Sequence, residues 1–296
     1  MVGMRISSRM MVEDAVAHMN DNLERLSVLQ TQVASGKVIH TPADNPAVAA
    51  ASLSLRSTLQ TNQAYLDTGY VTRDWLSANE LALKDLVDIA TRAQLLTNQG
   101  LSDTQGVTER QVLAQELDGL LQHAVGVGNT QHQGKYLFAG FKVTTQPYTY
   151  TGAGVTNNLA STADAMQQSI APGQTLTVNI DGNTAFTPLF NALISARDAL
   201  AAGNIPAAQA AVGALSAALT GLTAVRTTNG ARQRQLQTEM DRLERTKIDL
   251  KNLLTHKEDV NLTEAISMLK QQETVYQATL EVGRRAITPS LFDYLR

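Results

Sequence analysis

Apolar residues near the start of the chain are spaced alternately four and three residues apart. The members of this heptad row are Val12, Val16, Met19, Leu23, Leu26 and Val33, with Gln30 at its one polar position. A repeat of 3.5 residues keeps one stripe facing a partner helix. The pattern predicts a coiled-coil helix that ends near Gly36, a residue suited to the left-handed position after a helix.

A break with two prolines separates this helix from a much longer one. Pro42 cannot continue a helix, and Asn45 followed by Pro46 is typical of an N-cap and a first helical residue. Helical periodicity then runs from Pro46 to about Gln99. We expect a loop over residues 100–106 and a second helix from about Thr108 to Val125.

The composition changes between about residues 142 and 186, where Thr, Gly, Asn and Tyr replace Leu, Glu and Arg. Leu176, Val178 and Ile180 alternate with polar residues and lead into Asp181-Gly182. Alternation that ends in Asp-Gly is typical of a β-hairpin. The pattern therefore predicts a small β-rich insertion in a helical chain, with a hairpin turn at Asp181-Gly182.

The C-terminal part mirrors the start. Helix is expected again from about Leu189, a long helix reaches about Lys257, and a short break spans residues 258–261 before a last helix that stops at Pro289. The heptad row of this last helix is Leu262, Ile266, Leu269, Tyr276, Leu280 and Ile287. Short isolated helices are marginal in water because most helical stability comes from a packed face. We expect the two terminal helices to pair with each other or with neighbouring subunits.

Charge and composition narrow the possible functions. The chain has 296 residues, with 24 Lys+Arg against 27 Asp+Glu, so it lacks the basic excess of a nucleic-acid binder. It has no cysteine, which excludes disulfides and thiolate chemistry. The apolar run over residues 46–55 is too short to span a bilayer, and no apolar segment typical of a cleaved signal follows Arg5 and Arg9. We expect no nucleic-acid and no membrane partner.

Candidate catalytic chemistry is sparse. The five histidines are His18, His40, His123, His132 and His256, and no two of them are four residues apart, as a helical metal site requires. Gly126-Val127-Gly128 follows a helix and lacks the third glycine of a dinucleotide fingerprint, so we interpret it as a helix terminator. An enzyme would need a site in the β-rich insertion, whose titratable residues are few (Asp164 and Asp181). We expect no catalytic residue, no cofactor and no metal.

Several motifs resemble those of a known family. They are Met4-Arg5-Ile6-Ser7, Pro42-Ala43-Asp44-Asn45-Pro46, Gly134-Lys135-Tyr136-Leu137-Phe138-Ala139-Gly140, Asn229-Gly230-Ala231-Arg232 and Leu291-Phe292-Asp293-Tyr294-Leu295. On these motifs the chain resembles the flagellin-like family, and within it the hook-associated protein 3 (FlgL) family of hook-filament junction proteins. The resemblance covers essentially the whole length. Asn45 replaces an aspartate common at that position, and asparagine keeps the N-cap role.

The resemblance implies a mainly α fold with long antiparallel helices, a terminal coiled coil and a small β-rich inserted domain. It places residues 1–40 and 258–296 in an inner coiled-coil domain, 41–141 and 187–257 in a helical rod domain, and 142–186 in an outer domain. The family is structural and not enzymatic. Its members form a ring of identical copies between hook-associated protein 1 (FlgK) and the flagellin filament. They reach the extracellular flagellum through the flagellar type III apparatus, and a FlgN-like export chaperone holds the C-terminal helix.

The terminal seam is the expected subunit interface. Its residues are Ile6, Met10, Val16, Met19, Leu23, Leu26, Val33, Leu262, Ile266, Leu269, Tyr276, Leu280, Ile287, Leu291 and Leu295. The simpler interpretation is that these residues pack only within the chain. The alternative function is flagellin itself or a minor filament subunit. A signalling coiled coil would need a membrane-spanning partner and would not explain the predicted hairpin.

Overall fold

The computed structural model describes residues 8–102, 105–159 and 162–294, with side chains described at 10, 13–102, 105–159 and 162–284. Long helices dominate these residues, and short strands occur between the third and fourth helix. The elements in order are α1 (Ser8–Ser35), α2 (Pro46–Gly100), α3 (Val107–Gly128), β1 (Gln131–His132), β2 (Lys135–Tyr136), β3 (Tyr148–Tyr150), β4 (Val155–Asn157), β5 (Gln167–Ala171), β6 (Gln174–Thr177), α4 (Gly182–Ala201), α5 (Ile205–Glu258) and α6 (Leu262–Tyr294). The predicted fold class, mainly α with a small β-rich part, is confirmed.

The chain divides into two compact units. The terminal unit contains residues 1–60 and 247–296, and the central unit contains residues 61–246. Residues 142–186, the predicted outer domain, lie within the central unit. The three-part division into inner, rod and outer domains stays a prediction.

Helices α2 to α5 build the main core of the central unit. Leu83, Leu86, Leu117 and Leu193 are each 0% exposed, and the row along α5 continues this core. That row is Ala208, Ala211, Leu215, Ala218 and Leu222. Spacings of three and four residues place these side chains on one helix face, which explains why an alanine-rich helix can pack closely against its neighbours.

The few aromatic residues of the chain concentrate where the strands meet the helices. Phe138, Tyr148, Phe186 and Phe190 pack together with ring centroids 4.7 to 5.8 Å apart. Within the predicted family motif at residues 134–140, the segment Leu137-Phe138-Ala139 is buried in this region. The buried residues of this motif therefore pack where the β-rich segment meets the helices.

Three antiparallel two-stranded sheets lie in this segment, pairing β1 with β2, β3 with β4 and β5 with β6. The β5–β6 hairpin turns at Pro172-Gly173, where Gly173 has a φ of 71°. Its Ile170 and Leu176 pack in a second cluster with Leu66, Leu76, Leu236, Met240 and Leu243 of α2 and α5. The hairpin therefore lies against the helices of the central unit.

The predicted hairpin turn at Asp181-Gly182 is wrong. Asp181 is the N-cap of α4, and its carboxylate accepts hydrogen bonds from the Asn183 amide at 3.1 Å and from the Thr162 hydroxyl at 2.6 Å. Aspartate favours both turns and N-caps, so the dipeptide alone does not distinguish the two. As a consequence α4 begins at Gly182, seven residues before the predicted Leu189, and Pro188 lies inside it.

Most other helix ends agree with the sequence. α2 begins at Pro46, and the Asn45 side chain accepts a hydrogen bond from the Val48 amide at 3.2 Å. Gly36 follows α1 with a φ of 70°, as its predicted role requires. The expected stop at Pro289 is wrong, because α6 continues to Tyr294. A proline removes one backbone hydrogen bond and can be accommodated by a bend.

Helix α5 contains a long apolar stretch that was not identified from the sequence as a possible membrane span. Among the described residues, α5 alone is long and apolar enough to cross a membrane by length and composition, with an 18-residue window of mean hydropathy 1.4 that is 28% buried. The row from Ala208 to Leu222 nevertheless belongs to the core of the central unit. Such a helix has the composition expected of a core helix as much as of a membrane span.

Candidate functional site: the terminal helix pair

Helices α1 and α6 form an antiparallel pair. Near the middle of α1, Asn22 contacts Gln272 and Thr279, and at the end of α1 Lys37 pairs with Asp259 across an isolated β-bridge. Residue numbers therefore rise along one helix as they fall along the other. This pair brings together the two ends of the chain, as the heptad rows predict.

One row of each helix faces the other helix. The rows are Ala15, Met19, Asn22, Leu26, Leu29 and Val33 on α1, and Ala265, Leu269, Gln272, Tyr276, Thr279 and Gly283 on α6. Within these rows Leu26 is 9% exposed and Ala265 is 4% exposed, whereas the other positions are half-buried. The spacing alternates between four and three residues, as in other antiparallel helix pairs.

The predicted seam residues fall into two groups. Met19, Leu26, Val33, Leu269 and Tyr276 belong to the inner rows. Leu262 continues the inner row of α6, seven residues before Leu269, and is 49% exposed at the start of the helix. Four others, namely Val16, Leu23, Ile266 and Leu280, lie beside those rows and are 42 to 48% exposed. Met10 is 55% exposed. Ile6 and Leu295 lie outside the described residues, as do the side chains of Ile287 and Leu291.

A polar layer crosses the middle of the pair. The Asn22 amide nitrogen donates to the Thr279 hydroxyl at 3.1 Å, and the Gln272 amide nitrogen donates to the side-chain oxygen of Asn22 at 3.1 Å. A hydrogen-bonded polar layer in an otherwise apolar seam penalises any other register, because a shift leaves these groups without partners. Asn22, Gln272 and Thr279 thus fix the alignment of α1 against α6.

An ion-pair cluster connects the two linkers that adjoin the pair, residues 36–45 before α2 and residues 259–261 before α6, with the nearby ends of α2 and α5. We call Lys37, Arg56, Glu258 and Asp259 the linker cluster. Arg56 donates two hydrogen bonds to Glu258, at 3.1 and 2.7 Å, and the Lys37 ammonium lies 3.3 Å from Glu258 and 2.6 Å from Asp259. Two backbone hydrogen bonds join the same segments, from the Val38 amide to Glu258 at 2.7 Å and from the Val260 amide to Gly36 at 2.9 Å.

The electrostatics of the linker cluster favour its charged state. Hydrogen bonds from Arg56 and Lys37 hold the pKa of Glu258 below its usual value, although burial of its carboxylate works in the opposite direction. The contact with Lys37 likewise lowers the pKa of Asp259, and the contact with Asp259 raises the pKa of Lys37. Each group stabilises the charge of its partner, as expected for a bidentate arginine–carboxylate pair.

The loop before α2 is closed by Asp44. The Thr41 hydroxyl and the backbone amides of Thr41 and His40 donate to its carboxylate, which lowers the pKa of Asp44 to about 2. In the same loop the His40 imidazole lies 3.0 Å from the Ser35 hydroxyl. Asp44 contacts the backbone of His40 and Thr41 and not the imidazole, so these residues do not form the relay of a catalytic triad. Their geometry is that of a capped turn.

The possible metal ligands of the described part of the chain do not gather at one site. No group of three or more His, Cys, Asp or Glu side chains is placed there to hold a metal ion. His132 packs edge-on against Trp75 with ring centroids 5.9 Å apart, and His18 lies on the surface of the terminal pair. The histidines occupy separate structural positions.

Several residues of the pair were not identified from the sequence. Asn22, Gln272 and Thr279 are polar, so a search for apolar heptads passes over them. Met268, Val275 and Val282 form a second exposed row on α6, with exposures of 47, 41 and 64%. Their spacing of seven residues was visible in the sequence, but the assignment of a single seam per helix excluded them.

Comparison with known proteins identifies the family. The bacterial flagellin N-terminal helical region matches residues 6–143, and the bacterial flagellin C-terminal helical region matches residues 212–295. Together they span most of the chain and include both terminal helices. The gap between the two matches, residues 144–211, contains β3 to β6 and α4.

Individual relatives agree with this assignment. Flagellar hook-associated protein 3 of Salmonella typhimurium is 26% identical over 146 residues, which is 49% of this chain and 46% of that protein. The Escherichia coli K12 protein of the same name is 21% identical over 201 residues, which is 66% of this chain and 61% of that protein. The chain therefore covers about half to three fifths of the length of these relatives.

A solved structure shares the fold. Bacillus cereus FlgL is 22% identical, with a TM-score of 0.61, and the match covers 68% of this chain and 99% of that one. The two flagellin regions, the paired terminal helices and this shared fold lead to one assignment: the chain belongs to the flagellin-like family of flagellar structural proteins.

Proposed function

We propose that this protein is a structural adaptor of the bacterial flagellum, which forms a ring between hook-associated protein 1 and the flagellin filament. The observation that carries the proposal is the terminal pair itself. Leu23, Ile266 and Leu280 are 48, 42 and 42% exposed even when α1 and α6 are paired. Large apolar side chains gathered on one surface mark sites of protein association.

In the assembled ring, neighbouring subunits would bury the apolar side chains that stay exposed in the single chain. The partners in this proposal are other copies of the chain in the ring, hook-associated protein 1 on the hook side and flagellin on the filament side. A FlgN-like chaperone would cover the C-terminal helix before export through the type III apparatus. The names of the relatives, flagellar hook-associated protein 3, support this role more directly than that of flagellin.

Deletion of the gene tests the position in the flagellum. We expect intact hooks and unpolymerised flagellin in the medium, because the filament would lack its attachment ring. Normal filaments in the deletion strain would contradict the adaptor role. The main rival, a filament subunit, predicts that the purified chain polymerises alone into long filaments, which an adaptor does not do.

A substitution in the exposed row tests the surface. Leu23→Asp or Leu280→Asp should block incorporation into flagella, because a carboxylate buried without a partner costs several kcal/mol. Incorporation is measured by immunoblotting isolated flagella. Thr31→Asp is the matched control on α1, because Thr31 is exposed and lies on the side of the helix remote from α6. Equal incorporation of Leu23→Asp and Thr31→Asp would contradict the assignment of the surface.

A further inference from the structure

Each helix of the terminal pair carries a second row of residues beside its inner row. Successive residues of an α-helix turn by about 100°, so the residue that follows every second member of an inner row lies roughly 60 to 100° to one side of it. We call these residues the flanking rows, and all of them are exposed. The flanking rows are Val16, Leu23 and Gln30 on α1, and Ile266, Glu273 and Leu280 on α6.

The same two helices could also pair through their flanking rows. Both flanking rows follow the inner rows in sequence and the helices are antiparallel, so the two rows lie on the same side of the pair. Opposite rotations of α1 and α6 by roughly 50° would bring both rows inward. Met19, Leu26, Leu269 and Tyr276 would stay between the helices, and the alternation of three and four residues would be kept. The result, which we call the rotated seam, is therefore a second coiled-coil arrangement of the same helices.

The rotated seam would be the more apolar of the two. It would gain four large apolar side chains, Val16, Leu23, Ile266 and Leu280, and would lose one, Leu29. The other residues that would leave the seam are two alanines and the three members of the polar layer. Burial of apolar surface alone therefore favours the rotated seam, and other interactions must hold the helices as the structure shows them.

Two polar features oppose this rotation. The side chain of Asn22 bonds to Thr279 and to Gln272, each at 3.1 Å, and these bonds form only with the inner rows in contact. Rotation would also carry Glu273, the residue after Gln272, into the seam beside Leu23. A carboxylate buried without a partner is strongly unfavourable. The polar layer thus stabilises the observed seam, and Glu273 destabilises the rotated one.

Rotation in the opposite sense has no comparable apolar seam. It would bring the second exposed row of α6 inward, but it would also bring His18 and Arg25 of α1 inward, which lie roughly 60 to 80° to that side of the α1 inner row. An arginine opposite an apolar row loses its water without gaining a partner. The observed seam therefore has one apolar competitor, the rotated seam.

We propose that the polar layer and Glu273 act together as a rotational lock. The lock holds Val16, Leu23, Ile266 and Leu280 on the surface, where they are available for association, although the two helices could bury them against each other. Without the lock the pair turns into the rotated seam and loses this surface. The consequence for assembly rests on the proposed function, whereas the choice of rotation is a property of the single chain.

A pair of introduced cysteines reports the observed seam, because the chain has no cysteine of its own. Leu29 lies one heptad after Asn22, and Ala265 lies one heptad before Gln272. Because the helices are antiparallel, Leu29 and Ala265 occupy positions equivalent to the observed contact of Asn22 with Gln272. We call Leu29→Cys with Ala265→Cys the observed-seam pair. It lies two turns away from the polar layer, which stays intact.

A second pair of cysteines reports the rotated seam. Gln30→Cys with Ile266→Cys, the rotated-seam pair, occupies the corresponding positions of the flanking rows, and each reporter pair removes one large apolar side chain. The purified full-length chain is equilibrated with reduced and oxidised glutathione, so that disulfides form and break reversibly. The cross-linked fraction then reports how often each seam is occupied, even if the helices separate in between. We expect several-fold more cross-linking of the observed-seam pair.

Removal of the lock should reverse this preference. Asn22→Ala removes the residue that joins the polar layer, and Glu273→Leu replaces the carboxylate by an apolar side chain. In the double variant the rotated-seam pair should be cross-linked several-fold more than the observed-seam pair. The matched control is Asn20→Ala with Thr274→Leu, which introduces the same two residue types at exposed positions on the outer faces of α1 and α6. The control should keep the native preference.

Three results of the cross-linking experiment would overturn the lock. The first is equal or stronger cross-linking of the rotated-seam pair in the native background. The second is an unchanged preference in the double variant, or the same change in the control. The third is the absence of cross-linking in both reporter pairs, which would mean that the two ends of the free chain do not pair.

Incorporation into flagella separates the lock from the proposed function. In a strain that lacks the native gene, the double variant without introduced cysteines should be several-fold less abundant in isolated flagella than the control variant. A reversed cross-linking preference with normal incorporation would mean that the lock does not serve association. If the unsubstituted chain itself is absent from flagella, the adaptor role fails, while the cross-linked fractions still decide whether the rotation is locked.

Discussion

Glu258 joins the two linkers of the terminal unit through a single carboxylate. It is 7% exposed, while the Lys37 and Arg56 side chains that pair with it are 42 and 59% exposed. The cations can therefore recover water if the carboxylate is lost, whereas the carboxylate depends on the cations. This asymmetry makes Glu258 the residue of the linker cluster whose removal is informative.

Glu258→Gln should destabilise the terminal unit by about 1 to 3 kcal/mol, because three hydrogen bonds from the Arg56 and Lys37 side chains lose their charged acceptor. The measurement is hydrogen exchange at the Val38 and Val260 amides, which join the same two linkers. Glu281→Gln removes an ion pair between Glu281 and Arg284, whose side chains are 45 and 75% exposed. Such exposed pairs contribute little, so this control should leave both amides unchanged. A similar loss of protection in both variants would argue against a specific role for Glu258.

The linker cluster should also weaken in acid. The pKa of Glu258 in the folded chain lies below its usual 4.5, so its contribution is fully present above that value. The contribution is lost as the pH falls through the lower, folded-state pKa. Protection factors of Val38 and Val260 should therefore drop on acidification below 4.5, and drop less in Glu258→Gln. Identical acid profiles for the two proteins would contradict this account.

At the scale of one element, two glycines of α3 meet different surroundings. A methyl group on Gly128 would lie 2.7 Å from the Tyr148 ring and 3.2 Å from the Phe186 ring, whereas one on Gly126 would meet nothing within 4 Å. The first position needs glycine because the aromatic cluster approaches the backbone. The second position carries glycine without such a constraint.

Alanine substitutions at these two positions should have opposite effects. Gly128→Ala should lower the free energy of unfolding by about 1 to 3 kcal/mol through overpacking against two buried rings. Gly126→Ala should raise it by roughly 0.5 to 1 kcal/mol, because alanine loses less entropy than glycine on entering a helix. Thermal unfolding of both variants provides the comparison. Destabilisation of the same size in both would mean that the aromatic cluster does not determine the effect.

The helices and turns also show which structural features sequence periodicity can predict. The heptads predicted α1 and α6, and the Asn45-Pro46 signal predicted the start of α2, because caps and apolar rows act locally. Asp181 was assigned to a turn because the Thr162 hydroxyl that helps to fix it as an N-cap is 19 residues away in the chain. The turn at Pro172-Gly173 and the pairing of Asn22 with Thr279 likewise depend on contacts that only the folded chain makes.

The sequence predicted only part of the candidate site, because some of its contacts form only in the folded chain. A heptad row shows which residues are apolar at the right spacing. A helix that carries two apolar rows, however, can place either row against its partner helix. On α6 the inner row includes Gln272 and Thr279, while Ile266 and Leu280 stay exposed. Hydrogen bonds to Asn22 contribute to this choice. Apolar periodicity carries no information about them.

Across the whole molecule, burial is distributed very unevenly between the two units. Among the described residues, the buried hydrophobic side chains of the terminal unit are Leu26 and Ala265, and the others lie in the central unit. Helices with so little buried apolar surface gain little free energy over their unfolded state. The central unit should therefore hold most of the stability of the free chain.

Hydrogen exchange on the free, full-length protein should show this difference residue by residue. We expect weak protection at the Leu23 and Leu280 amides and strong protection at Leu83 and Leu117, because local opening costs least where few apolar contacts are broken. Leu23→Asp should leave the protection of Leu83 unchanged. Strong protection at Leu23 and Leu280 in the free chain would mean that the pair is stable before assembly. The ordering of the terminal helices would then not depend on neighbouring subunits, and the exposed rows would serve recognition alone.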